Sequence, residues 1–287
     1  MNPHLQIFES ARPRLQALAY RLLGSISDSQ DLLQESFVRW QKVELTGLRQ
    51  PEHYLTRMVT HAAIDQLRSA RHRRESYTGP WLPEPWIETP ADPVQALELA
   101  DSLSMAFLLL LERLSPLERA VFLLRVVFDY EYAEIGELVD ENPAYCRQLV
   151  HRAREHLHSE RRSRSVDPER QQALLQAFMS ACQQGELEPL QALLAQDAIL
   201  YSDGGGKVRA ALNPIQGADR VARFLQGVLS KSPQQMAVSP ALINGSLGLL
   251  VSWDGQLRMT LGFDWNEQGI AAMYLVLNPD KLAHLQK

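Results

Sequence analysis

The sequence predicts a multidomain protein, with two all-helical domains followed by one in which helices precede a curved antiparallel sheet. Three observations carry that reading. Apolar residues recur at helical spacing up to about residue 165, and one proline-rich stretch interrupts them. Beyond residue 235 the pattern changes to alternation and short apolar runs between tight turns. A chain of 287 residues, 45% apolar and 22% charged, has ample material for more than one core.

In the first region, Pro3–Leu23 places Leu5, Phe8, Ala11, Leu15, Leu18, Ala19 and Leu22 along a helix that Gly24 ends. Ser27, with Gln30 three residues on, reads as a capping box. It opens a helix through Leu32, Leu33, Phe37 and Trp40 whose other face carries Asp31, Gln34 and Glu35. Thr46-Gly47 breaks the chain, and Pro51 suits the first turn of a third helix running to about Arg74. Leu55, Met58, Val59, Ala62 and Ala63 form its apolar side, while Tyr54, Arg57, His61, Asp65 and Arg68 share the opposite stripe.

From Ser76 to Pro93 the chain changes character. Pro80, Pro83, Pro85, Pro90 and Pro93 bar a helix, and the segment around Trp81, Leu82 and Trp86 is extended, aromatic and stiff. A purely flexible tether would be rich in Gly and Ser, so these apolar residues are expected to dock on something.

Helices resume over Val94–Leu114 and Pro116–Phe128, the latter with Ser115 as N-cap. Tyr132–Val139 is short and helical. Asp140-Glu141-Asn142 follows, and Pro143 opens a helix to about Glu160. A helix, a tight turn and a helix that ends rich in Arg make the helix-turn-helix pattern. After Arg164, the stretches Glu169–Gln184, Leu187–Ala195 and Gly217–Ser230 read as helical. Strands are expected at Gln235–Asn244, Leu247–Trp253, Gln256–Trp265 and Ile270–Leu277, joined at Asn244-Gly245, Asp254-Gly255 and Gln268-Gly269.

Several classes are excluded by composition. The apolar run over Ala106–Leu111 falls far short of the ~18 residues of a membrane span, so no membrane association is expected. The start, Met1-Asn2-Pro3-His4-Leu5-Gln6, has neither the basic head nor the apolar stretch of a signal peptide. Cys146 and Cys182 stand far apart and form no metal-type pair, which fits a cytoplasmic protein without disulfides, metal or cofactor. The net charge is −5, and up to Ser165 there are 20 Lys/Arg against 23 Asp/Glu. The positive charge is nonetheless clustered, at Arg68, Arg71, Arg73 and Arg74, and again at Arg147, Arg152, Arg154, Arg161, Arg162 and Arg164. On charge alone, phosphate contact and a solvated helix end fit these clusters equally well.

Four segments in order break that tie. Asp31-Leu32-Leu33-Gln34-Glu35-Ser36-Phe37-Val38-Arg39-Trp40 strongly resembles the polymerase-docking segment of bacterial sigma factors. Tyr54-Leu55-Thr56-Arg57-Met58-Val59 through Ile64-Asp65-Gln66-Leu67-Arg68 resembles that family's promoter-melting helix. Leu114 to Arg125 resembles the opening of its second DNA-binding domain, and Arg147-Gln148-Leu149-Val150-His151-Arg152-Ala153-Arg154 its recognition helix. With only two such domains, the chain resembles the extracytoplasmic-function group. The linker Gly79-Pro80-Trp81-Leu82-Pro83-Glu84-Pro85, the loop Asp203-Gly204-Gly205-Gly206-Lys207 and the terminal Asn278-Pro279-Asp280-Lys281-Leu282 are similar to the signature of one subgroup, which carries a fused SnoaL-like (NTF2-like) cone domain. Glu141 departs from the pattern, because such turns usually place an apolar residue there.

The resemblance implies sigma domains over residues 1–75 and 94–165, a linker over 76–93 and the cone-shaped domain over 166–287. It also implies two partners, core RNA polymerase and promoter DNA. Asp31, Gln34 and Glu35 suit a basic polymerase surface. Pro143, Ala144, Tyr145, Arg147, Gln148 and His151 lie where a recognition helix meets base edges, with Arg147 suited to guanine and Gln148 to adenine. Arg152 and Arg154 suit phosphates. Tyr54, Arg57, His61 and Arg68 offer aromatic and cationic support for unstacked bases, although an ordinary surface histidine fits His61 equally well. The glycine-rich loop and the terminal segment are expected to engage the linker, with Lys207 or Lys281 meeting Glu84. The same loop fails as a phosphate loop, since Tyr201 and Val208 stand where Gly and Ser/Thr are required. Tyr201, Asp203, Asp254 and Asp264 are the groups the cone domain offers for catalysis, but its only histidine is His284 at the extreme end and no enzyme is expected; a small-molecule effector there is a further expectation. The competing reading is a helix-turn-helix regulator whose cone domain senses a small ligand without polymerase.

Overall fold

A computed structural model describes residues 2–87, 103–158, 166–233 and 235–286. Pro90, Pro93, the start of the helix expected from Val94, and Arg161, Arg162 and Arg164 lie outside the described residues. The chain divides into two compact units. One comprises the described residues of Met1–Ser76 and Leu108–Glu160, the other those of Tyr77–Phe107 and Arg161–Lys287. No described helix is long and apolar enough to cross a membrane.

The first unit is helical. Helices α1 (Pro3–Leu23), α2 (Ile26–Trp40) and α3 (Pro51–Glu75) bury Leu15, Leu18, Leu22, Leu32, Leu33, Trp40, Leu55, Val59 and Ala63. Gly24 takes the left-handed conformation that stops α1. The cap of α2 is Ser25, not Ser27: its hydroxyl accepts from the Asp28 amide at 3.1 Å. Gly24 turns the chain so sharply that helix resumes at once, and the buried Ile26 already belongs to its first turn. Trp40 is fully buried and ties the start of α1 to the end of α2, donating its indole N–H to the His4 carbonyl at 2.9 Å.

Helix α4 (Met105–Leu111) leads into α5 (Pro116–Val126), whose Ser115 and Glu118 form the reciprocal capping box. Helices α6 (Tyr132–Val139) and α7 (Pro143–His158) complete the helix-turn-helix. Its turn is held by backbone: Asp140 is left-handed, and the Glu141 amide donates to the Gly136 carbonyl at 3.0 Å. A Cβ at Gly136 would lie 2.5 Å from the Glu141 carbonyl, so close approach here requires glycine. This is how the turn forms with a glutamate at a position that is usually apolar. The buried Arg119 of α5 donates from Nε and Nη2 to the Arg21 carbonyl, at 3.1 and 2.9 Å, and from Nη1 to Glu112 at 2.5 Å. A cation thus meets a last-turn carbonyl of α1, where the helix end offers negative potential.

The second unit is α+β. Helices α8 (Pro168–Gln184) and α9 (Leu187–Ala192) precede strand β1 (Leu194–Asp203), the short β2 (Ile215–Gln216) and α10 (Ala218–Leu229). An antiparallel meander follows, of β3 (Ala237–Ile243), β4 (Ser246–Trp253), β5 (Gln256–Asn266) and β6 (Gly269–Val276). A four-residue helix α11 (Pro279–Leu282) follows, continued by a 3-10 turn over Ala283–Leu285. The sheet order is β2-β1-β6-β5-β4-β3, and β1 runs parallel to β6. This corrects the expected helix over Leu187–Ala195, which ends at Ala192, and adds two strands not anticipated, β1 and β2. The register of β1 shifts between Leu194 and Ile199, and that irregularity breaks the alternation by which a strand is read.

Helices α8, α9 and α10 cover one face of the sheet. Phe178, Leu190, Val221 and Leu225 pack there with Leu200, Leu261, Phe263, Trp265, Met273 and Leu275. By alternation Tyr201, Asp203, Gly262, Asp264 and Tyr274 stand on the other face. The linker segment runs to this domain and pairs with it: Ile87 bridges Ile243 in antiparallel fashion.

Candidate functional site

Three groups of side chains carry the chemistry expected from the sequence. The most tightly built centres on Asp203, at the end of β1, which is fully buried. Its Oδ1 accepts from the Tyr77 hydroxyl at 2.6 Å and the Gly205 amide at 3.0 Å. Its Oδ2 accepts from the Leu82 amide at 2.8 Å and Lys281 Nζ at 2.7 Å. Lys281 also donates to the Leu82 carbonyl, and its ammonium lies 4.2 Å from the Trp81 ring centroid and 5.0 Å from that of Tyr77. Asn278 caps α11 by accepting from the Asp280 amide, and its Nδ2 donates to the Tyr77 hydroxyl at 2.9 Å. The Asp203 carbonyl accepts from the amides of Leu277 and Asn278. Gly205 sits at φ +60°, where a Cβ would fall 2.3 Å from Asn278 Nδ2.

The linker is therefore clamped by a salt bridge out of water. Leu82 is fully buried, Pro83, Glu84 and Pro85 are buried, and Trp81 is half-buried. Burial, then the bond to Asp203 and its charge, raise the Tyr77 phenol far above its ordinary range. The pairings correct the sequence expectation for Glu84. Lys207 meets Asp280 at 2.5 Å in solvent, Lys281 meets Asp203, and Glu84 lies 4.0 Å from the His284 ring. Lys281 is held one turn into α11, over the two aromatic rings, and that placement directs it to Asp203. Pro279 and Leu282 flank it, Leu282 in the core.

Three participants escaped the sequence analysis. Tyr77 lies within the stiff, aromatic linker, but two residues before the Gly79–Pro85 signature. Asn244 is buried, left-handed and exchanges two bonds with the backbone of Trp86, at 2.8 and 3.0 Å, so its turn doubles as a linker dock. His284, distant in sequence, donates from Nε2 to the Pro85 carbonyl at 3.0 Å. The Asn-Gly pair was the available signal for Asn244. Tyr77 belongs to the aromatic linker expected to dock, and nothing local marked His284.

Asp203 makes four hydrogen bonds and has no acceptor capacity left for a general base's work. Asp264 differs. It accepts from the Tyr274 hydroxyl at 2.7 Å, and the Tyr201 ring stacks 5.6 Å from that of Tyr274. Burial pushes the Asp264 carboxyl up to about 6, with the Tyr274 bond acting in the opposite sense. Among the described residues, no three His, Cys, Asp or Glu are grouped to hold a metal.

The second group is the outer face of α7. Pro143, Ala144, Arg147, Gln148, His151, Arg152 and Arg154 are exposed and Tyr145 half-buried, while Cys146, Leu149, Val150 and Ala153 fill the core. Asn142 caps the helix by accepting from the Tyr145 amide at 2.8 Å. Arg147 lies over the Tyr132 ring and Arg152 over that of Tyr145, so both guanidinium groups are steadied by aromatic faces.

The third group lies on α2 and α3. Asp31, Gln34, Glu35 and Val38 form an exposed face of α2. On α3, Tyr54, Arg57 and Arg68 are exposed and His61 half-buried, on the stripe expected. Tyr54 packs on Trp40 with centroids 6.0 Å apart, and Arg68 pairs with Asp65 at 3.0 Å.

The chain is similar to known proteins over nearly its whole length. Residues 7–73 match the Sigma-70 region 2 family, and residues 104–157 match the Sigma-70, region 4 family. The ECF RNA polymerase sigma factor SigJ of Mycobacterium tuberculosis is 34% identical over 286 residues, 96% of this chain and 91% of that protein. A second protein of that organism, named "Probable ECF RNA polymerase sigma factor SigI", is 31% identical over 288 residues, 99% of this chain and 97% of that one. The crystal structure of SigJ matches with a TM-score of 0.77 at 29% identity, over 97% of this chain and 98% of that chain. With both sigma regions present and relatives aligned over nearly the whole length, the chain belongs to the extracytoplasmic-function family of RNA polymerase sigma factors.

Proposed function

We propose that this sigma factor binds core RNA polymerase in the cytoplasm through Asp31, Gln34 and Glu35 and directs it to one class of promoter. In this reading α7 enters the major groove of the upstream element. Pro143, Ala144, Tyr145, Arg147, Gln148 and His151 face base edges, and Arg152 and Arg154 hold phosphates. The α3 stripe of Tyr54, Arg57, His61 and Arg68 supports the opened downstream element. The observation that carries the proposal is the outer face of α7. The residues that can read DNA stand in solvent on a folded helix, and the apolar ones between them are buried.

The cone domain's part is regulatory. Its grip on Tyr77–Ile87 fixes the path of the chain between α3 and α4, and so biases which spacings of the two DNA-binding domains are reached. The support is the clamp around Asp203, which buries the linker more completely than a tether requires.

Run-off transcription with purified core polymerase on a randomised-promoter pool tests both parts. Specific transcripts are expected from the full chain, with Arg147→Ala changing the selected upstream sequence. Trp81→Ala should change yield while leaving the selected sequence intact. Duplex binding without polymerase, and no transcript, would instead favour the ligand-sensing regulator.

A further inference from the structure

We propose that the helix-turn-helix turn masks the DNA-facing stripe of α3, with the Asp140 carboxylate standing in for a DNA phosphate. This deepens the reading above and rests on its assignment of Arg57 and His61 to DNA. Asp140 closes α6 in the left-handed conformation, at φ 57°, and its amide donates to the Gly136 carbonyl. Its Oδ1 accepts from Arg57 Nη2 at 2.6 Å, and its Oδ2 lies 3.4 Å from His61 Nε2. One anion thus spans two members of the stripe, as the paired oxygens of a phosphate would.

Neighbouring contacts extend the same match. Glu137, one turn earlier on α6, lies 3.6 Å from His53 of α3. The hydroxyls of Thr56 and Tyr130 lie 3.4 Å apart. Acidic groups from α6 therefore line up against basic groups from α3. Arg68, farther along the helix, pairs with Asp65 of its own helix, so the masking covers only the first half of the stripe.

The contact is built to be displaced. The side chains of Arg57, Asp140 and His61 are 47%, 58% and 40% exposed, and an Arg–Asp pair this open to water holds weakly. DNA offers the Arg57 guanidinium a denser line of anions and gains from counterion release. The free chain then holds its melting stripe partly closed, and opening it requires α6 to leave α3.

Anisotropy titration of a labelled 20-nucleotide single strand of random sequence, with the full chain, low salt and no polymerase, tests this. Asp140→Asn keeps a residue that tolerates the left-handed conformation. It should tighten binding about two- to fivefold, the range a displaced exposed pair allows. Asp129→Asn is the control. It removes the same charge from another left-handed, exposed position that pairs with Arg125, and it should change affinity little. Arg57→Ala should weaken binding, and in that background the gain from Asp140→Asn should shrink. If Arg57→Ala weakens binding while Asp140→Asn does no more than Asp129→Asn, the masking proposal falls and the DNA assignment stands. If Arg57→Ala leaves binding unchanged, the assignment falls and the proposal with it.

Discussion

The pair Lys281–Asp203 in the second unit and the pair Arg57–Asp140 in the first use similar groups at similar distance, 2.7 and 2.6 Å, in opposite surroundings. The first is out of water, with side chains 8% and 0% exposed. The second is open, at 47% and 58%. Removing two charges from water is costly, and the clamp offsets that cost only because each group is satisfied several times over. Asp203 makes four hydrogen bonds, and Lys281 adds a carbonyl and two aromatic faces. The open pair incurs little desolvation and gains little. What differs is therefore reversibility. The buried pair fixes the linker to the cone domain, while the exposed pair is cheap to exchange for another anion.

Breaking the buried pair should have the largest effect. Asp203→Asn leaves Lys281 charged in a dry site and takes an acceptor from the Tyr77 hydroxyl or the Leu82 amide. Loss of one partner from such a pair costs about 3–5 kcal/mol. Chemical unfolding followed by tryptophan fluorescence would report it, since Trp81 and Trp86 flank the clamp. A loss under about 1 kcal/mol would show that the linker is held by Leu82 and the prolines, with the ions incidental.

A second carboxylate on the same face sharpens the contrast because it has only one partner. Asp264 is bonded to Tyr274 and has no cation against it among the described contacts. Its carboxyl titrates at about 6, above the ordinary value of 3.8, so the folded protein binds a proton more tightly than the unfolded chain. Between those values the native state holds the extra proton, and stability falls as pH rises through that window. Asp264→Asn removes the charge and keeps an acceptor for Tyr274. It should stabilise the protein by on the order of 1–2 kcal/mol above pH 6, with the gain fading towards pH 4. Melting curves at pH 4, 5, 6 and 7.5 would check this. A gain independent of pH would contradict it.

The sequence showed the two kinds of site unequally, for physical reasons. The helical unit was legible because its signals are local: Gly24 ends α1, Ser115 caps α5, and the 3.6-residue period separates the exposed face of α7 from its core. The clamp's loop and terminal segment were recognisable by resemblance, but its pairings were not. Which lysine meets which carboxylate depends on β1, a strand whose register shift hid it, and on Tyr77 lying 126 residues from Asp203. Long-range pairing leaves no periodic trace. The contact of Asp140 with Arg57 escaped for the same reason, since Arg57 alone reads as an exposed helix charge and Asp140 as a turn residue.

Disturbing the open pair should have the smallest effect on stability. Arg57→Ala removes one partner of an exposed ion pair, and Asp140, already more than half in water, recovers its hydration without rearrangement. The cost should be no more than about 1 kcal/mol at low ionic strength. It should shrink towards zero by 1 M salt, where the screening length drops to about 3 Å. The Asp203→Asn penalty should hardly move over the same range, because salt does not enter a site closed to water. Unfolding of both variants at two salt concentrations therefore separates the fixed pair from the exchangeable one. If the Arg57→Ala loss persisted in high salt, α3 and α6 would be held by packing around Thr56 and Tyr130, and the charges would not be what DNA has to displace.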